Sequence, residues 1–148
     1  MYTILRSAHS GWRYIVLILL LLAVIRAVYG WLGKKPYTSS DKKLNLFTLI
    51  SVHIQLLLGL ALYFIGGWYK MDATGNAAVR YYKVEHISMM ILAIILITIG
   101  NSRSKKMLTD IAKHRTISIF FGLGLLLIVV TILLMVKVVP GKSFFGMN

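Results

Sequence analysis

Four histidines, His9, His53, His86 and His114, carry most of the chemistry available to this 148-residue chain. The chain has no cysteine, which excludes disulfides, thiolate-bound zinc, iron–sulfur clusters and covalently attached c-type haem. Its four carboxylates, Asp41, Asp72, Glu85 and Asp110, sit in connections or at a helix end, so a proton relay through membrane carboxylates has no support. No nucleophile–base set, glycine-rich phosphate loop or HExxH motif is present. Catalysis by side chains alone is therefore not expected. Paired neutral imidazoles can hold a metal, and on facing helices they are the axial ligands of a b-type haem.

The elements that must position these histidines are apolar. Hydrophobic residues make up 58% of the chain and charged residues 14%, against about 45–50% and about 25% in an average globular protein. The class indicated is an all-α integral membrane protein. Disorder is excluded because it requires low hydrophobicity. A transmembrane helix needs about 20 mostly apolar residues, and four such stretches run approximately from Trp12 to Leu32, Leu46 to Trp68, Val84 to Gly100 and Ile117 to Val139. Short connections force antiparallel neighbours, giving one domain over residues 1–148, a four-helix up-down-up-down bundle. The first span is too long for a signal-peptide core, and no small-x-small cleavage site follows it.

The formal charge is +13, from 17 Lys and Arg against four Asp and Glu. In a soluble protein this would point to nucleic acid, but no solvated domain remains to carry that function. Nine of the cations fall in the first and third connections: Lys34, Lys35, Lys42, Lys43, Arg103, Lys105, Lys106, Lys113 and Arg115. The positive-inside rule then places both connections in the cytoplasm and both termini outside. Trp12, Tyr14, Trp68, Tyr69, Tyr81 and Tyr82 fall at the outer interface as an aromatic belt. Asp41 or Ser40 is the expected cap of the second helix.

Each histidine belongs to a different helix. His9 and His86 lie near the outer ends of the first and third helices, diagonal partners that can converge on the bundle axis. Counted from the span boundaries, their depths differ by roughly 8 Å at 1.5 Å per residue. The other diagonal pair, His53 and His114, differs by about 15 Å, and pairing His53 with His86 leaves a mismatch of similar size. The candidate iron ligands are accordingly His9 and His86 first, then His53.

Arg13 shares a helix face with His9 and could pair with a haem propionate; Arg80 and Lys83 could do so near His86. Glu85 could orient the His86 imidazole. Gln55, Gly59 and Tyr63, spaced four apart, form a groove that a flat ligand or a neighbouring helix could enter. Several residues have plainer readings. His114, between Lys113 and Arg115, reads first as an interfacial histidine without a ligand, and His9 equally as a solvated helix start. His53, in mid-span, must be hydrogen-bonded if it holds no cofactor. Met89 and Met90 read as core filling, Arg26 as a side chain snorkelling to headgroups, and Gly59, Gly66, Gly67, Gly122 and Gly124 as helix-packing positions. The lysine-rich connections need no more than topology and anionic lipid.

The segments His9-Ser10-Gly11-Trp12-Arg13, His53-Ile54-Gln55 continuing to Gly59, Glu85-His86-Ile87-Ser88-Met89 and Lys113-His114 resemble those of small bacterial four-span membrane proteins labelled cytochrome b-like, over nearly the whole chain. The resemblance implies a protein of the bacterial cytoplasmic membrane with non-covalent haem b, one or two per chain, held by bis-histidine ligation. It implies His9, His86, His53 and His114 as ligand candidates and Arg13 as a propionate partner. It further implies electron transfer to or from a quinone or a partner redox subunit. The alternative is a cofactor-free accessory subunit packed against a larger membrane complex. A small transporter centred on His53 ranks below both, since one buried polar residue is not a pathway.

Overall fold

Four long helices form the framework of the computed structural model, which describes residues 1–146: α1 (Tyr2–Leu32), α2 (Ser39–Ile65), α3 (Ala77–Lys106) and α4 (Asp110–Val138). Each has 27–31 residues, a length of about 40–46 Å against a hydrocarbon core of about 30 Å. Each also contains an apolar window long enough to cross a membrane. The helices overrun the apolar stretches seen in the sequence, with α1 starting at Tyr2 instead of near Trp12 and α3 at Ala77 instead of near Val84. Hydropathy marks where the hydrocarbon ends, whereas a helix continues as long as its residues can bond their own backbone.

Helix α1 packs against α2 and α4, and α3 packs against α4 and, more loosely, α2. This is an up-down-up-down ring with α1 opposite α3 and α2 opposite α4. The N-terminus, residues 139–146 and the α2–α3 connection lie at one end of the bundle, the terminal end. The other two connections lie at the loop end. They are shorter than expected, residues 33–38 and 107–109, because Lys42, Lys43, Arg103, Lys105, Lys106, Lys113 and Arg115 are already helical.

Large aliphatic side chains such as Ile18, Leu22, Ile25, Leu57 and Leu126 cover the outside, while the interior mixes Leu20, Ile97, Ile117 and Phe121 with small and polar groups such as Ala23, Ala27, Ala93, Thr48 and Thr131. Such an interior fits a membrane, where burying apolar surface gives no drive and close backbone approach does. On α1 the buried face is Val16, Leu20, Ala23, Ala27 and Gly30. On α2 it is Asp41, Asn45, Thr48, Ser51 and Val52, and every polar member is bonded: Asn45 to the Tyr37 hydroxyl, Thr48 to Leu44 O and Ser51 to Thr48 O. Asp41 receives Arg26 Nε at 2.6 Å. Arg26 is therefore ion-paired, correcting the snorkelling expectation. The cap of α2 is Thr38, not Ser40 or Asp41. Its hydroxyl accepts from Asp41 N–H while the Asp41 carboxylate accepts from Thr38 N–H, a reciprocal capping box.

At the terminal end the chain does not stop with α4. Gly141, at φ +76°, adopts the left-handed conformation that glycine favours and helps turn the tail back over α1. There Gly146 O accepts from Arg13 Nη2 at 2.7 Å and Phe145 O from the Tyr14 hydroxyl.

Candidate functional site

The third helix is not uniform where it meets the site. Residues Tyr81–Glu85 form one π-helical turn, immediately before His86. Such a turn inserts a residue into the helix and resets the facing of what precedes it; π turns recur at functional sites. Here Tyr81 is directed into the bundle and is 1% exposed. Its hydroxyl donates to Thr131 O on α4 at 2.7 Å and lies 3.3 Å from His86 Nδ1. With the phenolic proton committed to Thr131, the Tyr81 oxygen is left to accept from His86 Nδ1–H. That fixes the tautomer and leaves the Nε2 lone pair free, the usual way a partner prepares a histidine to bind a metal. The aromatic belt is accordingly incomplete. Tyr81 is inside the bundle, and Trp12 Nε1 donates inward to Ser51 O at 2.9 Å.

From α1, His9 meets His86 with ring centroids 6.1 Å apart and planes at 74°. The axial offset of roughly 8 Å expected from the span boundaries is absent, because α1 and α3 both begin well before their apolar stretches. Gly59 on α2 makes room for the ring, since a Cβ there would sit 3.0 Å from His9 Cε1. Gln55, one turn earlier, donates to the His9 carbonyl oxygen at 2.9 Å. Three polar atoms in this neighbourhood, His9 Nδ1, Arg13 Nε and Gln55 Oε1, are buried with no hydrogen-bond partner. Orphaned groups of this kind each cost free energy, so they point to something the protein binds.

Both rings line a cavity of about 330 Å³ among all four helices at the terminal end. Gln55, Gly59 and Tyr63 line it together, so the groove read from their spacing faces this space. Its deeper wall is apolar, with Val16, Leu56, Met90, Ile94, Ile128 and Ile132. Its rim carries Arg6, Arg13 and Lys142, and no carboxylate lines it. Partial burial, then the charges of Arg6 and Arg13, hold the Lys142 ammonium below the usual lysine range. Three like charges at one rim repel one another, and an anionic group bound there would relieve that repulsion. Arg6 and Lys142 have no site role in the sequence reading, and Tyr81 has only that of a belt residue. Arg6 had a readable signal in its spacing, three residues before His9 and seven before Arg13. The tail fold that delivers Lys142 left none.

The remaining candidates lie elsewhere. His53 donates through Nδ1–H to Leu49 O, 2.8 Å away on its own helix, and does not line the cavity. His114 is 1% exposed at the loop end, with Nε2 at 3.2 Å from Pro36 O and its ring 5.1 Å from that of Tyr37. It is packed against Gly30, where a Cβ would fall 2.5 Å from the imidazole. His114 thus ties the first connection to α4 and is neither solvated nor directed at the cavity. Glu85 pairs with Arg80 Nε at 2.9 Å, so the orienting role expected of it falls to Tyr81. Lys83 donates to Met71 O. Met89 sulfur lies 3.5 Å from the Thr131 hydroxyl, which donates to Leu127 O at 2.6 Å, and Met90 lies in the cavity wall.

No family model matches the chain, and no curated protein or solved structure matches it significantly. The site must be judged on its own geometry. For a metal–imidazole bond of about 2.0 Å, two rings on opposite sides of one metal have centroids about 6 Å apart, which the observed pair satisfies. Among the described residues no three His, Asp or Glu side chains gather as a metal-binding group. A donor set of two imidazoles, with no third protein donor, beside an apolar wall suits a macrocycle that brings its own equatorial nitrogens. The cationic rim suits its carboxylates.

Proposed function

We propose that this chain is a membrane-embedded b-type cytochrome carrying one haem at the terminal end of the bundle. The observation that carries the reading is the His9–His86 pair, 6.1 Å apart on opposite helices and open to a shared cavity. His9 and His86 are the residues that would hold the iron. Tyr81 holds the His86 ring in the Nδ1–H tautomer, and Gly59 leaves space for the His9 ring. Arg13, Arg6 and Lys142 at the rim would pair with its propionates, and Val16, Leu56, Ile94, Ile128 and Ile132 make the deeper wall apolar and would keep water from it. When bound, the haem supplies one-electron chemistry, and its potential is set by ligand identity, hydrogen bonding and burial.

The partner in electron transfer is a quinone or a redox subunit in the same membrane. The proposed location is the bacterial cytoplasmic membrane, with the lysine-rich loop end inside and both termini outside. The support is the concentration of cations at the loop end, where Lys34, Lys35, Lys42, Lys43, Arg103, Lys105, Lys106, Lys113 and Arg115 all lie.

The ligand assignment is tested by measuring haem per chain in detergent-purified variants. His9→Ala and His86→Ala should each lose haem or shift its absorbance, while His53→Ala and His114→Ala should keep the wild-type spectrum wherever they fold. Loss on replacing His53 or His114, with retention in the other two, would overturn the assignment.

A further inference from the structure

A second cavity, of about 280 Å³, lies at the loop end, where the start of α2, the last turns of α3 and the start of α4 meet. Lys42, Lys105 and Lys113 line it, and no carboxylate does. Asp41, next to Lys42, is committed to Arg26 and to Thr38. Among the described residues the only ion pairs are Arg26–Asp41 and Arg80–Glu85, so these three ammonium groups have no anionic partner. Lys113 is positioned by the ring of Tyr37, with Nζ 5.5 Å from its centroid.

The neutral groups in the same cavity are also donors. Tyr37 Oη accepts from Asn45 Nδ2 at 2.9 Å, which leaves its own hydroxyl proton free to donate. Asn101, one helical turn before Lys105 and on the same face of α3, is 4% exposed and lines the cavity. Its carboxamide has no hydrogen-bond partner within the described residues. The amide opens to the cavity at its exposed edge. Three cations, a free phenolic O–H and this carboxamide, with no carboxylate among them, form a donor-rich hollow. The chemistry that complements it is a phosphate group.

We infer that this cavity binds the phosphate of an anionic phospholipid. Free phosphate has the same donor requirements, but the surroundings favour a lipid. Leu46, one turn beyond Lys42 on the same face of α2, is 43% exposed. It marks where α2 enters its apolar span, so acyl chains attached to the bound phosphate would run along this exposed apolar surface. Basic hollows between helices at a membrane surface recognise anionic headgroups in this way. The inference does not depend on haem at the other end.

The test measures apparent lipid affinity of the full chain, purified in neutral detergent, from thermal stabilisation on adding phosphatidylglycerol, phosphatidylcholine or inorganic phosphate. Phosphatidylglycerol should stabilise the wild type at concentrations where the other two do nothing. The triple variant Lys42→Gln, Lys105→Gln, Lys113→Gln should bind it about 100-fold more weakly. A control triple, Lys34→Gln, Lys43→Gln, Lys106→Gln, removes the same charge outside the cavity and should bind as the wild type does. Asn101→Leu, which removes the unpaired amide without changing charge, should also weaken binding. Equal losses in both triples would overturn the site in favour of diffuse surface charge, as would no stabilisation of the wild type. Stabilisation by inorganic phosphate alone would overturn the lipid assignment. If the cavity triple does not fold, the Asn101→Leu result against the control decides.

Discussion

Tyr81 has the most specific role proposed for a single residue other than the ligands. Its hydroxyl links Thr131 O and His86 Nδ1 across the α3–α4 seam, so Tyr81→Phe removes the acceptor that fixes the His86 tautomer while keeping the ring in place. The expected outcome is a folded, haem-containing protein with a shifted midpoint potential, and a stability loss of about 1 kcal/mol for the lost bond. An unchanged potential in redox titration would assign Tyr81 to packing alone. At Gly59 the expectation is steric. Gly59→Val places atoms against His9, already 3.0 Å from a Cβ, and should reduce haem per chain without preventing membrane insertion, read by haem quantitation against protein yield. The two histidines themselves were legible in the sequence, because ionisable groups in an apolar chain are few and stand out. Tyr81 was not, because a π turn has no composition signal and an interfacial tyrosine reads as belt until the helix phase is known.

The elements are held together by contacts that hydropathy does not report. Helix α1 approaches α4 closely at Gly30, where a Cβ would fall 2.5 Å from the ring of His114. Gly30→Ala should therefore destabilise the protein by about 1–3 kcal/mol, whereas in a His114→Ala background the same change should cost much less. Thermal unfolding of the four proteins of this cycle measures the coupling directly. Asp41 serves two elements at once, closing the α2 capping box and receiving Arg26 from α1. Asp41→Ala should cost about 1–2 kcal/mol, mostly from the cap, because Arg26 is partly exposed and can rehydrate. The apolar spans were readable to within a few turns and the helix order followed from short connections. The ion pair was hidden because Arg26 and Asp41 are 15 residues apart on different helices. The level placement of His9 and His86 was hidden because helices extend past the hydrocarbon their sequences mark.

For the whole molecule, the ends of the bundle differ in kind. The loop end gathers most of the cations and, at Lys42, Lys105 and Lys113, leaves three without an anionic partner. The terminal end encloses a cavity beneath a tail that touches Arg13 and Tyr14. Truncation after Val139 removes Lys142 and the carbonyls of Phe145 and Gly146, and should loosen haem retention while leaving the four helices inserted; haem loss to a scavenger protein would measure it. The positive charge of the chain is thus divided between the loop end and two cavities lined by cations. The central claim, that His9 and His86 hold a haem between them, is tested most directly by the absorption spectrum of the protein purified from haem-replete cells, oxidised and then reduced with dithionite. The account predicts a coloured protein whose reduced spectrum shows the sharpened bands of low-spin, six-coordinate haem b. A colourless preparation of folded protein would contradict it.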